Sequence, residues 1–204
     1  MTSAPDQETD VALPAPVARS SVSTDIALIS TFAAFIAVCA VLPGIPTPSG
    51  VPITLQTFGV ILAGLVLGWR RGGLTALLYV TLGLAGLPIF AEGTGGLVVL
   101  SKPSVGYLLA FPFAAALAGA FAGAALRRTS WRYPLLVAAG LGASFLTIHP
   151  AGIAGLMARL GLSAGEALAI DVVYWPGDVV KNLAAAAVAV AVFKAFPDML
   201  RSRR

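Results

Sequence analysis

Long apolar blocks separated by turn residues or arginines make up most of the chain after Asp25. These blocks are continuous and rich in Ala and Leu, which is typical of transmembrane helices, whereas strands of membrane barrels alternate apolar and polar residues. About 20 helical residues cross the roughly 30 Å hydrocarbon core of a bilayer. The pattern predicts six spans, at Ile26–Leu42, Ile53–Gly68, Gly72–Pro88, Val105–Leu126, Tyr133–Met157 and Pro176–Phe196.

The basic residues predict how these spans are oriented. With six spans and a cytoplasmic start, ten of the thirteen basic residues fall on the inside: Arg19, Arg70, Arg71, Arg127, Arg128, Arg132, Lys194, Arg201, Arg203 and Arg204. Outer loops hold Lys102 and Arg159, and Lys181 lies in the last span. This asymmetry follows the positive-inside rule. We therefore predict an all-α integral membrane protein with six transmembrane helices and both termini in the cytoplasm.

The two ends of the chain differ from its apolar part. Residues 1–23 carry prolines, acidic residues and serines without apolar periodicity, which predicts a disordered cytoplasmic tail. Asp6, Glu8 and Asp10 face only Arg19 there, so the segment lacks the positive charge that begins a cleaved secretory signal. The predicted division is a tail at 1–23, a six-helix transmembrane domain at 24–197 and a basic cytoplasmic tail at 198–204.

Composition and charge exclude several function classes. The chain of 204 residues is 58% hydrophobic and 11% charged, with a net charge of +4. We interpret that charge as a topology signal and an affinity for membrane lipids. No basic stripe alternates with stacking aromatics, so nucleic acid is not an expected partner. The lone Cys39 supports neither a disulfide framework nor a cysteine metal site.

Catalytic motifs are also missing from the sequence. There is no Walker loop, no zinc-protease helix, no nucleophile elbow and no dinucleotide-binding glycine loop. The single histidine, His149, precedes Pro150 in the fifth span. A general base needs a positioned partner, and the sequence displays none. Packing or hydrogen bonding of His149 is the plain interpretation, and lining a ligand cavity is the sharper one.

Two charged residues lie within one turn near the start of the last predicted span. Mid-membrane charges cost about 2.5 to 3.5 kcal/mol on insertion scales, so they face a partner or a cavity and mark a functional site. Pro176 opens the helix, Asp178 lies in its first turn, and Lys181 follows three residues later on the same face. These two residues are either the centre of a binding site or an internal ion pair that only holds the helix in place.

A glycine-rich stretch connects the third and fourth spans. It includes Gly95 and Gly96 and continues through Lys102 to Tyr107, and it is too apolar for an exposed linker. Glycines let the backbone approach a ligand closely. We expect a loop that folds back over a ligand, with aromatic walls supplied by Phe90, Tyr107, Tyr174 and Trp175.

Small residues four apart predict close helix packing. Gly64 and Gly68 form one such face, Ala115, Gly119 and Gly123 form a second, and Ala33 and Ala37 form a third. For the first two faces we expect packing inside the protein.

Four motifs, in order, resemble the BioY family, the biotin-specific substrate-binding subunits of energy-coupling factor transporters. They are residues 51–57 with Thr54 and Gln56, the turn 86–90, the loop 95–108, and 176–181 with Asp178 and Lys181. The similarity runs from about residue 25 to 195 and leaves out the tail. In the loop the family usually has Gly-Pro-Thr-Gly-Gly-Tyr where this chain has Lys-Pro-Ser-Val-Gly-Tyr at 102–107.

The resemblance implies a membrane domain whose outer loops and last helices enclose biotin. Asp178 would accept a hydrogen bond from a ureido N–H, Lys181 would donate to the ureido oxygen or the carboxylate, and Lys102 is a second candidate for the carboxylate. The implied ligand-binding set is Thr54, Gln56, Phe90, Gly95, Gly96, Lys102, Tyr107, His149, Tyr174, Trp175, Asp178 and Lys181.

The resemblance also implies partners in the bacterial cytoplasmic membrane. Two cytoplasmic ABC-type ATPases and a transmembrane coupling protein would drive uptake, and Ala33 with Ala37 would dock onto the coupling protein. Biotin would be cargo, so no cofactor is expected. Two alternatives stay open: a subunit for a different vitamin, and an intramembrane enzyme.

Overall fold

The computed structural model describes residues 21–126 and 132–201, and this part of the chain is helical, with isolated bridges but no strand. The helices are α1 Val22–Val41, α2 Gln56–Leu67, α3 Trp69–Leu84, α4 Val105–Leu126, α5 Arg132–Ala143, α6 His149–Leu160, α7 Ala164–Val172, α8 Trp175–Ala195 and α9 Pro197–Arg201. A π-helical turn, Ser144–Ile148, joins α5 to α6 without a break. The prediction of an all-helical membrane protein is confirmed.

Four of the six predicted spans are long and apolar enough to cross a bilayer. These are α1, α4, the continuous α5–α6 helix and α8. Helix α2 has 12 residues and α3 has 16, which at 1.5 Å per residue gives about 18 and 24 Å. The predicted span beginning at Ile53 is too long because residues 43–55 are not helical. Four prolines in this stretch remove backbone donors that a helix would need.

Helices α2 and α3 form a tight hairpin that is packed against α4. Gly68 joins them with a φ of 87°, a conformation that favours glycine. A Cβ at Gly64 would lie 2.3 Å from the carbonyl oxygen of Ala115, and one at Gly119 would lie 2.4 Å from the Gly68 backbone. The predicted small-residue faces therefore pack inside the protein, except at Gly123, where nothing lies within 4 Å.

The π turn lies where Pro150 interrupts the hydrogen-bonding of the long helix. Proline has no N–H to donate and its ring clashes with the preceding turn, so the helix widens locally instead of breaking. Thr147 stabilises this turn by donating its hydroxyl to the Ala143 carbonyl at 2.7 Å. The widened turn delivers His149 into the interior, where it is buried.

The predicted boundaries between the tails and the transmembrane domain do not coincide with the ends of the helices. Helix α1 starts at Val22, capped by Ser21, within the predicted 1–23 tail. Helix α9 occupies the start of the predicted 198–204 tail, and Met199 is buried there. The rest of the N-terminal prediction, with Arg19, lies outside the described residues, as do Arg127, Arg128, Arg203 and Arg204.

The bundle has two distinct ends. At one end the start of α1 meets the α2–α3 turn, and the Arg71 guanidinium forms a salt bridge with Asp25. The opposite end carries the longer connections 43–55, 85–104 and 161–174. The candidate site lies at this second end.

Candidate functional site

The connections and the helix ends beneath them enclose a cavity of about 770 Å³, measured with its open mouth. The walls are mainly apolar with a few convergent polar groups. The cavity is lined by Gly50, Val51, Pro52, Ile53, Thr54, Gln56, Thr57, Phe90, Ala91, Glu92, Thr94, Val99, Lys102, Ser104, Tyr107, Leu108, Phe111, Tyr174, Asp178 and Lys181.

Asp178 and Lys181 form the charged centre of the cavity. One helical turn separates them on α8, which brings the Lys181 ammonium to 2.9 Å from Asp178 Oδ1. The same carboxylate oxygen accepts a hydrogen bond from the Thr57 hydroxyl at 3.0 Å, across from α2. Only 7% of the Asp178 side chain and 12% of the Lys181 side chain are exposed. The other carboxylate oxygen, Oδ2, accepts no hydrogen bond in the described part of the chain.

The predicted Thr54 and Gln56 both reach the cavity and are organised by local hydrogen bonds. At the start of α2, the backbone N–H of Gln56 donates a hydrogen bond to the Thr54 hydroxyl at 3.3 Å. The Gln56 side-chain amide donates to the Tyr79 hydroxyl, which in turn donates to the Ile89 carbonyl at 3.0 Å. This relay fixes the start of α2 to α3 and to the connection 85–104.

Aromatic side chains form one wall of the cavity. The Tyr107 and Tyr174 rings meet edge to face, with centroids 5.8 Å apart, and the buried Phe90 ring lies against Tyr79. The Tyr174 hydroxyl donates to the Val51 carbonyl at 3.1 Å, which ties the wall to the connection 43–55. The predicted contributions of Phe90, Tyr107 and Tyr174 to the cavity lining are thus present in the structure.

Lys102 supplies a second positive charge to the cavity. Its side chain is half-buried, and its ammonium has no hydrogen-bond or ion-pair partner among residues 21–126 and 132–201. Lys181, by contrast, is already paired with Asp178. An anionic group of a ligand would therefore find its unpaired counter-charge at Lys102.

Four residues predicted to line the site lie outside the cavity. A Cβ at Gly95 would lie 2.1 Å from the Leu87 carbonyl oxygen, and the Gly96 amide donates to the Gly83 carbonyl at 2.7 Å. These glycines let the loop pack on the end of α3, so their role in the structure is to shape the loop. His149 and Trp175 lie behind the lining, in a second layer of polar contacts.

Asp171 is the centre of that second layer, and the sequence analysis missed it. Its fully buried carboxylate accepts from the Tyr107 hydroxyl at 2.8 Å and from Trp175 Nε1 at 2.8 Å. His149 Nδ1 lies 3.0 Å from the same carboxylate. An acidic residue in an apolar region was the available signal, because it is the argument that identified Asp178. Thr57 was missed because a hydroxyl carries no such signal.

The structure places the predicted docking face on α1 partly inside the bundle. Ala33 is 5% exposed and belongs to the hydrophobic core, and Ala37 is half-buried against it. The small-residue spacing was correct, but this face of α1 is turned towards α2 and α3. Ala34, one residue on, lies on the exposed face.

The site offers recognition groups and no assembled catalytic centre. In the described ranges no group of three or more His, Cys, Asp and Glu side chains could hold a metal ion. The cavity combines an apolar aromatic wall, a carboxylate acceptor beside an ammonium, and an unpaired lysine. This set matches a ligand with an apolar body, polar N–H and C=O groups, and an acid.

Comparison with known proteins gives a consistent result. The model of the BioY family matches residues 10–198. "Biotin transporter BioY" of Rhodobacter capsulatus is 37% identical over 191 residues, covering 88% of this chain and 98% of the relative. "Biotin transporter BioY" of Rhizobium etli is 33% identical over 180 residues, covering 85% and 95%.

A solved structure is similar as well. The crystal structure of the S-component for biotin from an ECF-type ABC transporter has a TM-score of 0.78 and 27% identity. The match covers 86% of this chain and 95% of that chain.

Proposed function

This chain belongs to the BioY family, and from that premise we propose that it is the biotin-specific S component of an ECF-type transporter. The resemblance carried by the four sequence motifs is thereby confirmed. The relatives are biotin transporters, so the chain is a transporter subunit and not an enzyme. The alternative of an intramembrane enzyme is set aside.

The observation that carries the proposal is the pairing of Asp178 with Lys181 in the wall of the cavity. Biotin has a ureido group with two N–H donors and one carbonyl acceptor. A carboxylate next to an ammonium matches a donor next to an acceptor, and charge-assisted hydrogen bonds are the strong ones. A different vitamin without this pair of groups would leave the remaining hydrogen-bonding capacity of the two side chains unused in a site that excludes most water, which is costly.

The positions of the two lysines indicate how biotin is oriented in the cavity. Lys181 is held by Asp178, so the ureido group lies at that pair, and the bicycle packs against Tyr107 and Tyr174. The valerate chain then leads to the unpaired Lys102. No cofactor takes part, because biotin is the cargo.

We propose the topology and partners on the same premise. The chain is a multi-pass membrane protein of the bacterial cytoplasmic membrane, crosses it six times and has both termini in the cytoplasm. The short α2 and α3 complete the crossing with the connections at their ends. The basic Arg70, Arg71, Arg132 and Lys194 lie at or near the end of the bundle opposite the cavity, which supports a cavity open to the outside. A transmembrane coupling protein and two ATPases would supply the energy.

Thermal stability of the purified, detergent-solubilised protein tests the proposed ligand. Biotin at 100 times its dissociation constant should stabilise the folded state by about 2.7 kcal/mol and raise the melting temperature. Thiamine, riboflavin and pantothenate at the same concentration serve as controls and should leave it unchanged. A shift with one of these vitamins and none with biotin would assign the chain to a different substrate.

A further inference from the structure

A continuous series of polar groups runs behind the cavity wall. The Tyr107 hydroxyl and the Asp171 carboxylate are 2.8 Å apart, and Asp171 and His149 Nδ1 are 3.0 Å apart. The other ring nitrogen, His149 Nε2, lies 3.6 Å from Asp178 Oδ2. The imidazole is thus placed between two carboxylates, one behind the cavity and one in its wall.

His149 Nε2 is a buried polar atom without a hydrogen-bond partner among the residues that the structure describes. Only 3% of the side chain is exposed, and the ring is held in place by Phe145, with centroids 4.4 Å apart, and by Trp175 at 6.1 Å. A nitrogen left unpaired in such a position is expensive. Asp178 Oδ2 lies 3.6 Å from it and also lacks a hydrogen bond in the described part of the chain. A small shift would bring the two atoms together.

Charge balance indicates that the cluster holds one extra proton, and the carboxylate at each ring nitrogen places that proton on His149, because a neutral imidazole would turn a lone pair towards one of them. Two carboxylates, Asp171 and Asp178, face one ammonium, that of Lys181. With a neutral imidazole the buried cluster keeps one uncompensated negative charge, which is costly away from water. Tyr107, Trp175 and Thr57 donate hydrogen bonds but carry no charge. A doubly protonated His149 makes the cluster neutral.

We propose that His149 is an imidazolium at neutral pH, held by Asp171, and that its Nε2–H keeps Asp178 ionised and correctly oriented to accept from a ureido N–H. His149 and Asp171 are then positioning residues that act on the ligand through Asp178. The proposal rests on the proposed function for the identity of the ligand. It goes further by assigning a second layer to the specificity site.

The proton's location determines what Asp178 offers to a ligand. An ionised carboxylate only accepts hydrogen bonds, whereas a protonated one also donates. If the proton lay on Asp178 and pointed at His149 Nε2, one carboxylate oxygen would be used up as a donor. With the proton on His149, the carboxylate stays charged and only accepts, so a ligand N–H meets the stronger, ionised acceptor.

The lone histidine makes the protonation state directly measurable. The chain contains one His, so a sample labelled with ¹⁵N-histidine and carrying no histidine tag gives the signals of His149 alone. We expect both ring nitrogens to be protonated at pH 7 in the full-length protein in detergent. In Asp171→Asn the imidazolium should be lost at that pH. A single protonated nitrogen in the wild-type protein at pH 7 would refute the proposal, whatever the ligand is.

Biotin affinity as a function of pH tests the positioning role. The other titratable or charged groups around His149 or in the cavity are Tyr107 on α4, Lys181 on α8, and Lys102, Glu92 and Tyr174 in the connections. Lysine and tyrosine ordinarily titrate at about pH 10 and glutamate at about pH 4. A rise in pH that removes the His149 proton while these groups keep their charge should therefore raise the biotin dissociation constant.

The neutral variant His149→Gln should bind biotin about tenfold to a hundredfold more weakly at pH 6 and should lose the pH dependence. Wild-type affinity with an unchanged pH profile in this variant would overturn the positioning role. If the wild-type protein itself bound no biotin, the proposed function would fail, while the NMR measurement would still decide the protonation state.

The double variant His149→Gln with Asp171→Asn separates positioning from plain stability. It removes one positive and one negative charge together, so the cluster stays neutral and the melting temperature without ligand should recover towards the wild-type value. Biotin affinity should stay low, because Asp178 still lacks the charged imidazolium donor that orients it. Recovery of stability and affinity together would mean that the two residues are only structural.

Discussion

Replacing Asp178 with Asn gives the sharpest test of the binding site. The change keeps the shape of the side chain but removes the charge that pairs with Lys181 at 2.9 Å and turns one oxygen into an NH₂ donor. That donor would face a ligand N–H, or the Lys181 ammonium. We expect loss of tight biotin binding.

The size of the loss follows from the burial of the pair. With 7% of the Asp178 side chain exposed, solvent screens its contacts only weakly. A hydrogen bond to a charged group is worth about 1.5 to 3 kcal/mol, which corresponds to about a tenfold to more than a hundredfold increase in dissociation constant. Isothermal calorimetry on the detergent-solubilised protein measures this range directly.

Asp25→Asn is the matched control, because it is the same chemical change in a second acid–base pair of the described part of the bundle. Asp25 pairs with Arg71 at the end opposite the cavity, and its side chain is 41% exposed. An exposed pair contributes about 0 to 1 kcal/mol to stability and should not influence the ligand. If Asp178→Asn retained wild-type affinity, or if both variants lost it equally, Asp178 would be a structural residue and the assignment of the ureido site would be wrong.

Three further predictions concern the lysine and the helix packing. Lys102→Met should weaken binding of biotin about tenfold or more but hardly change binding of its uncharged methyl ester, measured by calorimetry, since only the acid needs the ammonium; equal losses for both ligands would contradict this role. Ala33→Trp should overpack the core by about 1 to 3 kcal/mol and lower both melting temperature and biotin affinity. Ala34→Trp, on the exposed face, should leave both unchanged, and the reverse result would restore the docking interpretation of Ala33. Gly106→Ala would place a Cβ 1.9 Å from the Ala151 carbonyl oxygen and push α4 away from α6. Thermal unfolding should therefore show a loss of stability similar to that of Ala33→Trp. Gly123→Ala, on the same helix with nothing within 4 Å, should be neutral or stabilising by up to about 1 kcal/mol. Equal changes in stability for the two glycine variants would argue against a close contact between α4 and α6 at Gly106.

The membrane helices could be predicted from the sequence because the cost of lipid burial is a local property. Each residue of a spanning helix must be apolar or have its polar groups paired within the protein. Helix α4, Val105–Leu126, was therefore predicted with its correct bounds from its continuous apolar sequence. Failures came at the ends of short helices. The predicted span at α2 began at Ile53, three residues before the helix, because residues 53–55 belong to the connection that packs over the cavity.

The charged pair was also predictable, since three residues along a helix fix two side chains on one face whatever surrounds them. The sequence alone determined that Asp178 and Lys181 would meet, and the structure places them 2.9 Å apart. The sequence did not determine which face of α1 is buried. Ala33 and Ala34 differ by one position and about 100° of rotation, and only packing against α2 and α3 decides between them.

The polar layer behind the cavity could be found only in the tertiary structure. Tyr107, His149 and Asp171 come from three helices separated by 22 to 64 residues in sequence. No spacing rule connects such positions, because their contacts depend on how α4, α6 and α7 pack and on the widened turn before Pro150. The sequence set the chemistry available to this protein, and the packing of its helices decided which groups meet, because hydrogen bonds and ion pairs act over only a few ångströms.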